Sequence, residues 1–297
     1  MSFNFRAKEV SCFRVALLLV IALEATPAQT TPTFTRSRAT ARATALGSPR
    51  SINASRALNG GAASLESIDA NGDIAYPYTV SLRRRSDLGY FCTGVLVGKR
   101  HVLTAAHCVD SSLSAADGRP EVVVGTPSSS KTSGDGVQVI STQNIFIHPD
   151  YRSRRFPDLA ILELSSAANQ APVRIPTTTN FRPQNGKLLK SNGWGRQGSR
   201  TGNAEILQVA SVKFIHLRSC SAQLGRRVFP HQICMGGDGP GSCPGDDGGP
   251  IVLRGDTRSD DVLVGIVGSS HVCGKSTKPD VHTRVAPYID WIKSIAG

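Results

Sequence analysis

The stretch CPGDDGGP, Cys243–Pro250, decides how this chain is interpreted. It places two adjacent aspartates, Asp246 and Asp247, among three glycines and ends on a proline. Glycine and proline at this density mark a tight loop. The role of the two aspartates depends on which other residues the fold brings next to this loop.

The N-terminus has the composition of a targeting segment. A basic start precedes the apolar run VALLLVIAL, Val15–Leu23, and small residues surround Ala28. This order is typical of a secretory signal peptide over residues 1–28. The run is too short to cross a bilayer, which takes about 20 apolar residues, so a membrane anchor or a buried helix is the less favoured interpretation. We therefore expect a secreted protein with no membrane attachment once it is processed.

Residues 29–56 are rich in Thr, Ala and Arg and contain no acid. A segment of this composition cannot bury a core, so we expect a disordered pro-segment. It contains one N-glycosylation acceptor, Asn53 in Asn-Ala-Ser, although chance sequons of this kind are nearly as common. The folded domain is then predicted to span residues 57–297.

Half of the positive charge belongs to the N-terminal segments. Residues 1–56 carry a net +6, which leaves +6 of the total +12 on residues 57–297. The one tight basic run left, Leu82–Ser86, is explained by a solvated hairpin tip. We therefore expect no nucleic-acid partner and keep an acidic partner as a minor alternative.

The cysteine count suggests disulfide bonds. Cys12 lies in the predicted signal peptide, and an even set of six remains, which in a secreted chain suggests three disulfides. Six cysteines allow 15 pairings, so their number alone does not choose one. No CxxC pair is present, which gives zinc little support, and we expect neither a metal nor a cofactor. The six are Cys92, Cys108, Cys220, Cys234, Cys243 and Cys273.

Short β-branched runs bounded by Gly, Pro, Asp or Ser predict an all-β domain. The closing segment 285–296 has apolar residues at Ile289, Ile292 and Ile295, which suits an amphipathic end helix. Many strands with a single end helix favour two small antiparallel barrels packed together. The predicted strands are 76–82, 92–97, 101–106, 121–125, 137–147, 159–164, 187–194, 206–215, 250–253 and 262–267.

Three motifs occur in an informative order. LTAAHC contains His107, DLAILEL begins at Asp158, and the glycine loop contains Asp247, at intervals of about 50 and 90 residues. Each motif alone is weak evidence for a catalytic role. Their order resembles the catalytic triad of chymotrypsin-like and trypsin-like serine proteases. The resemblance covers nearly all of residues 57–297 and includes NGWG at 192–195 and HTRVAPYIDWI at 282–292.

The resemblance implies a fold and a set of site residues. The fold is two packed antiparallel six-stranded barrels with a C-terminal helix. The implied disulfides are Cys92–Cys108, Cys220–Cys234 and Cys243–Cys273. His107 and Asp158 correspond to triad members, and the backbone N–H groups of Gly245 and Asp247 correspond to the oxyanion hole.

Asp247 stands where the family has its nucleophilic serine. A carboxylate is a poor nucleophile towards amides, and its charge opposes an oxyanion at the same place. Loss of the nucleophile removes roughly six orders of magnitude in turnover. We hypothesise that Asp247, His107 and Asp158 instead form a charge cluster that closes the site, because carboxylates favour a charged imidazole.

The implied specificity pocket is altered at three positions. Gly241 replaces the acid with which trypsin-like members bind basic side chains, and Asp280 replaces a glycine of the opposite wall. Asp280 could receive a Lys or Arg side chain, or it could be an exposed turn acid. Gly268 replaces the serine that supports the triad aspartate, here Asp158.

The family's activation site resembles SRALNGGAAS. Cleavage after Arg56 would free the amino group of Ala57, which in active members pairs with the acid corresponding to Asp246. A buried ion pair of this kind needs good packing to offset desolvation. Ala57 has only a methyl group where the family has isoleucine, so we expect a weak switch or none.

The favoured function is a secreted, catalytically inactive protease homologue that acts as a monomer by binding another protein. Its architecture looks most like the glucanase inhibitor proteins of oomycetes, rather than insect protease homologues or haptoglobin-like carriers, so a secreted hydrolase is the expected partner. The alternatives are an active trypsin-like endopeptidase and a decaying paralogue without a partner. An exposed apolar patch near the cleft would favour binding.

Overall fold

Twelve strands in the part of the chain that the structure describes close into two six-stranded antiparallel barrels. The computed structural model describes residues 74–110, 119–151, 156–197, 202–237, 241–268, 273 and 277–297. The predicted signal peptide and pro-segment lie outside these residues, as do Asn53, Arg56 and Ala57. The two-barrel, all-β prediction is confirmed.

The N-terminal barrel has the strand order β1-β2-β3-β6-β5-β4, and the C-terminal barrel has the equivalent order β10-β11-β12-β9-β8-β7. Closure leaves neither sheet with a free edge. The N-terminal strands are β1 Thr79–Arg83, β2 Tyr90–Gly98, β3 His101–Thr104, β4 Glu121–Val124, β5 Gln138–Ile147 and β6 Ala160–Leu164. The C-terminal strands are β7 Leu188–Gly193, β8 Gln208–Ile215, β9 Gln232–Gly236, β10 Pro250–Leu253, β11 Val262–Ile266 and β12 Pro279–Arg284.

The prediction of a single helix is wrong. Besides α2 (Ile289–Ala296) at the C-terminus, the chain forms α1 at Leu217–Leu224. Helix α1 has only a short apolar stripe of Leu217, Cys220 and Leu224, of which Cys220 alone is fully buried, so its sequence signal is weak. Its limits come from its caps, since the His216 side chain accepts the N–H of Arg218 and Gly225 ends the helix at φ 63°.

Strands β9 and β12 were not predicted either. The sequence of β9 ends in glycines, and that of β12 begins at Pro279 and mixes acidic and basic residues. They form because they pair with one another over five residues, from Pro279 opposite Gly236 to Thr283 opposite Gln232. Tertiary pairing therefore overrides weak local propensity at these two strands.

The largest hydrophobic cluster fills the N-terminal barrel and continues into the contact between the barrels. Trp194, Val252 and Leu263 of the C-terminal barrel belong to it. Helix α2 packs on the same cluster through Ile292, which is buried. No helix among the described residues is long and apolar enough to cross a membrane.

Three disulfides join the cysteine pairs that the family resemblance implies. They are Cys92–Cys108, Cys220–Cys234 and Cys243–Cys273. Three structural disulfides in a domain of this size fit a protein of an oxidising, extracellular compartment.

A buried polar network also connects the barrels. The Tyr78 hydroxyl donates to Asp261 Oδ2 at 2.7 Å, and both side chains are almost completely buried. Asp261 Oδ1 lies 3.0 Å from Arg254 Nε and accepts the N–H of Gly255. Burial and then the hydrogen bond to Asp261 raise the pKa of Tyr78, so its hydroxyl keeps the proton that it donates.

We predict that Tyr78→Phe lowers the free energy of unfolding by about 1–3 kcal/mol, because it removes one donor from a buried carboxylate. Denaturant titration measures this change. The control is Tyr288→Phe, which removes a hydroxyl that bonds no described residue and should change stability by less than about 0.5 kcal/mol. Equal changes in unfolding free energy for the two substitutions would show that the hydrogen bond from Tyr78 to Asp261 does not stabilise the fold.

Candidate active site

Strand pairing brings His107 and Asp158 together. His107 lies in a 3₁₀ turn, Ala106–Cys108, just after β3, and Asp158 lies just before β6. Strands β3 and β6 are neighbours in the barrel, with Thr104 opposite Ala160. Residues that leave these strands at the same end must therefore meet.

The contact between His107 and Asp158 uses both carboxylate oxygens. His107 Nδ1 lies 2.7 Å from Asp158 Oδ2, and the backbone N–H of His107 donates to Asp158 Oδ1 at 2.9 Å. A carboxylate next to Nδ1 keeps a proton on that nitrogen. Nε2 of His107 is therefore directed to the place where the family has its nucleophile.

That place is filled by the Asp247 carboxylate. Asp247 Oδ1 lies 3.9 Å from His107 Nε2. Asp247 Oδ2 accepts the backbone N–H of Gly245 at 3.1 Å. One of the two N–H groups assigned to the oxyanion hole is thus already bonded to an anion of the chain itself.

Backbone contacts with the N-terminal barrel hold the glycine loop in this position. The N–H of Thr93 donates to the Asp247 carbonyl at 2.8 Å, and the Tyr90 hydroxyl donates to the carbonyl of Gly245. Gly248 has φ 80°, and a Cβ there would lie 2.2 Å from Thr93 O. Only glycine fits at this position, because both the backbone conformation and the close approach exclude a side chain.

Asp246 points away from His107 into the C-terminal barrel. It accepts the N–H groups of Gly195 and Cys243, each at 2.8 Å. A Cβ on Gly195 would lie 2.6 Å from Asp246 Oδ1, so glycine is required there. Removal from solvent raises the pKa of Asp246 to about 6, although the two backbone bonds lower it. The amino group of Ala57, its predicted partner, lies outside the described residues.

The electrostatics of His107 favour the charged imidazole. Burial lowers its pKa, but the hydrogen bond to Asp158 and the negative charges of Asp158 and Asp247 outweigh burial and raise the pKa above its ordinary value. The charges therefore have the arrangement expected of an Asp158–His107–Asp247 cluster.

Asp280 lies in a strand beside Gly241 and not in an exposed turn. It is the second residue of β12, is half-buried and pairs with Met235. A Cβ on Gly241 would lie 2.7 Å from Asp280 Oδ2, so the carboxylate occupies space that a side chain at 241 would need.

Gly268 leaves Asp158 without a hydroxyl neighbour at that position. A Cβ there would lie 3.8 Å from Asp158 Oδ2, which is where a serine side chain would begin. The N–H of Gly268 donates instead to His282 Nδ1 at 3.2 Å. His282 Nε2 lies 3.2 Å from the Ser242 hydroxyl. Burial lowers the pKa of His282 to about 4, so this buried imidazole is neutral.

Sequence reasoning missed two residues of the site, Tyr90 and His282. Tyr90 lies two residues before Cys92, but the register of β2 shifts between them, so this spacing does not place them on one strand face and gave no signal. His282 follows Asp280 at the same spacing. Tyr90 and His282 each form a hydrogen bond with a residue of a distant segment. Alternation along one strand does not identify such a partner.

The described residues offer little to a metal ion. One group of three potential ligands comes together, Cys92, His107 and Cys108. The two sulfur atoms are bonded to each other, so they are not available as thiolates, which are the ligands that metals bind. Only an imidazole nitrogen is left.

Two barrels with a His–Asp pair facing a glycine loop define the chymotrypsin-like class of protease folds. A family model described as Trypsin matches residues 68–292. The chain therefore belongs to the trypsin family of serine proteases.

Relatives of this chain carry names of both enzymes and inhibitors. It is 34% identical to chymotrypsin-like elastase family member 1 of Bos taurus, over 74% of this chain and 85% of the relative. It is 34% identical to trypsin 5G1 of Aedes aegypti, over 74% of this chain and 80% of the relative. It is also 33% identical to glucanase inhibitor protein 3 of Phytophthora sojae (strain P6497), over 73% and 83%.

We predict that Asp247→Asn lowers the pKa of His107, because it removes a negative charge 3.9 Å from Nε2 and keeps the side-chain size. NMR titration of the imidazole measures the change, with Asp290→Asn on the exposed face of α2 as the control. A His107 pKa in the native protein at or below the ordinary histidine value would refute the charge cluster.

We also predict that Asp246 makes stability fall as the pH rises. Its folded pKa of about 6 exceeds the unfolded value of 3.8, so the folded state binds the proton more tightly. The contribution is full below pH 3.8 and is lost as the pH rises through 6. Compared with Asp246→Asn, the native protein should lose about 3 kcal/mol of unfolding free energy over this interval.

Denaturant titrations of both proteins at several pH values provide the test. Asp290→Asn again reports the effect of removing an exposed carboxylate. If the difference in unfolding free energy between the native protein and Asp246→Asn does not change with pH, Asp246 has the same pKa in the folded and unfolded states and the prediction is wrong.

Proposed function

We propose that this protein is a secreted, catalytically inactive member of the trypsin family that acts by binding another protein. The observation that carries the proposal is the position of the Asp247 carboxylate, which accepts the N–H of Gly245 and faces His107 Nε2. The proposed partner is a secreted hydrolase, such as a glucanase.

The chemistry of acyl transfer explains why this arrangement opposes catalysis. The reaction needs a hydroxyl whose proton passes to His107 while its oxygen attacks a carbonyl carbon. An ionised Asp247 has no such proton. Its charge and the contacts of Asp158 outweigh burial and raise the pKa of His107, which favours the imidazole form that already carries a proton. The negative charge that develops on the substrate would also have to displace Asp247 from the N–H of Gly245.

The retained architecture supports a binding function. The barrels, the disulfides and the contact between His107 and Asp158 are those of a rigid scaffold, which presents loops in fixed positions. A relative over most of the chain is named a glucanase inhibitor protein. The apolar N-terminal run and the three disulfides support secretion.

The second candidate is an active trypsin-like endopeptidase. It is favoured by the 2.7 Å contact between His107 and Asp158 and by the carboxylate of Asp280 beside Gly241, which could receive a basic side chain. Relatives named trypsin and elastase also match most of the chain.

Hydrolysis of a panel of Arg, Lys, Phe and Leu peptide esters distinguishes the two candidates. The protein cleaved after Arg56 should be inactive, and Asp247→Ser should turn over at least about a thousandfold faster because it regains a nucleophile. Asp247→Ser combined with His107→Ala should be inactive again, which would assign the activity to this site.

Asp247→Ala is the control for contaminating proteases. Hydrolysis by the native protein that is absent from Asp247→Ala would establish the enzyme and overturn the proposal. Equal hydrolysis by both proteins would reveal a contaminant, and further purification would precede a second measurement.

A further inference from the structure

One edge of the cleft carries a surface that the site does not use. It consists of Phe156, Arg226, Arg227, Phe229 and His231 and is called here the arginine–aromatic patch. The Phe229 ring is 41% exposed and stacks on His231 with an interplanar angle of 5°. The Arg227 guanidinium lies 5.0 Å above the Phe229 ring, and Phe156 packs on His231 at 5.9 Å. Phe156 is two residues from Asp158, so the patch borders the site.

The segment that carries Arg226, Arg227 and Phe229 is positively charged. The sequence from 206 to 237 contains four basic residues and no Asp or Glu. Arg226 and Arg227 are exposed, and neither forms an ion pair with a carboxylate of the described residues. Three other arginines do pair with carboxylates at the surface, namely Arg84 with Asp87, Arg85 with Glu121 and Arg174 with Asp260.

Two further arginines lie beneath the patch. Arg182 Nη2 and Arg284 Nε both donate to the Pro230 carbonyl, at 2.9 and 2.8 Å. Burial and then the charge of Arg182 lower the pKa of Arg284 to about 10. Two guanidinium groups that share one acceptor repel each other, and an anion above them would relieve that repulsion.

The loop that carries the patch is rigidly held. The N–H of Phe229 donates to Gln232 Oε1, and the N–H of Gln232 donates to the Phe229 carbonyl, each at 2.9 Å. The N–H of Val228 donates to the Ser221 hydroxyl at 3.0 Å. Phe229 is therefore held exposed by a fixed backbone, and a preordered aromatic loses little conformational entropy on binding.

We propose that the arginine–aromatic patch is the docking site for an acidic segment of a partner protein that carries an aromatic side chain. Carboxylates of the segment pair with Arg226 and Arg227, and its aromatic ring packs on Phe229. Aromatic residues and arginine are the types that contribute most to binding at protein interfaces. The proposal rests on the proposed function, because it specifies how a binding homologue engages its partner.

The test measures binding of a fluorescein-labelled random copolymer of glutamate and tyrosine to the full-length protein by fluorescence anisotropy. Polyglutamate of equal length and dextran sulfate are the comparison probes. We expect the copolymer to bind more tightly than polyglutamate and to compete with dextran sulfate for the protein. Phe229→Ala should weaken copolymer binding about tenfold and leave polyglutamate binding nearly unchanged.

Arg226→Glu combined with Arg227→Glu should weaken copolymer binding more than about tenfold. The matched control is Arg84→Glu combined with Arg85→Glu, which makes the same change in net charge at two adjacent arginines that are already paired with acids. Leu188→Ala is the control for Phe229, because Leu188 is 56% exposed on the same barrel. Thermal unfolding of every variant checks that each one is folded.

Equal weakening by the patch variants and their controls would overturn the proposal, because binding would then follow net charge alone. Tighter binding of dextran sulfate, unaffected by Phe229→Ala, would also overturn it in favour of a polysaccharide site. These measurements involve no catalysis. Their failure is therefore distinguishable from failure of the proposed function, which is decided by ester hydrolysis with Asp247→Ser.

Discussion

The backbone hydrogen bond between Thr93 and Asp247 fixes the position of the glycine loop, on which the geometry of the candidate site depends. The N–H of Thr93 donates to the carbonyl of Asp247 across the junction of the barrels, next to the Cys92–Cys108 disulfide. It fixes the glycine loop of the C-terminal barrel against the turn of the N-terminal barrel that carries His107. Together with the bond from the Tyr90 hydroxyl to the Gly245 carbonyl, it positions Asp247 and the N–H of Gly245 relative to the imidazole.

The two adjacent aspartates have different environments because the loop directs them to opposite sides. Asp246 enters the C-terminal barrel, where it accepts two backbone N–H groups and burial raises its pKa to about 6. Asp247 faces the cleft, where it and Asp158 raise the pKa of His107. One acid thus orders the loop, and the other joins His107 and Asp158 in a cluster of alternating charge. This charge pattern supports the proposal that the protein acts by binding.

The surface beside the cleft fits this interpretation. An aromatic ring held exposed next to Arg226 and Arg227 is an unfavourable feature for an isolated molecule, since exposed apolar surface and unpaired charge both favour association. The disulfide Cys220–Cys234 and the bonds around Pro230 maintain the patch. Recognition through this edge would leave the altered triad as a neighbouring, silent structure.

The sequence by itself determined the two-barrel class, ten of the strands and the C-terminal helix, because alternation and turn residues are local properties. The order of the motifs and the family resemblance implied the centre of His107, Asp158 and Asp247. The disulfide pairs came from the family resemblance. Only the tertiary structure decided that β9 and β12 are strands, since each depends on its partner, and that His216 and Gly225 enclose a helix. It also decided where the Asp247 carboxylate lies and that Phe156 meets His231, because such contacts join segments far apart in the chain and side-chain direction is set by packing.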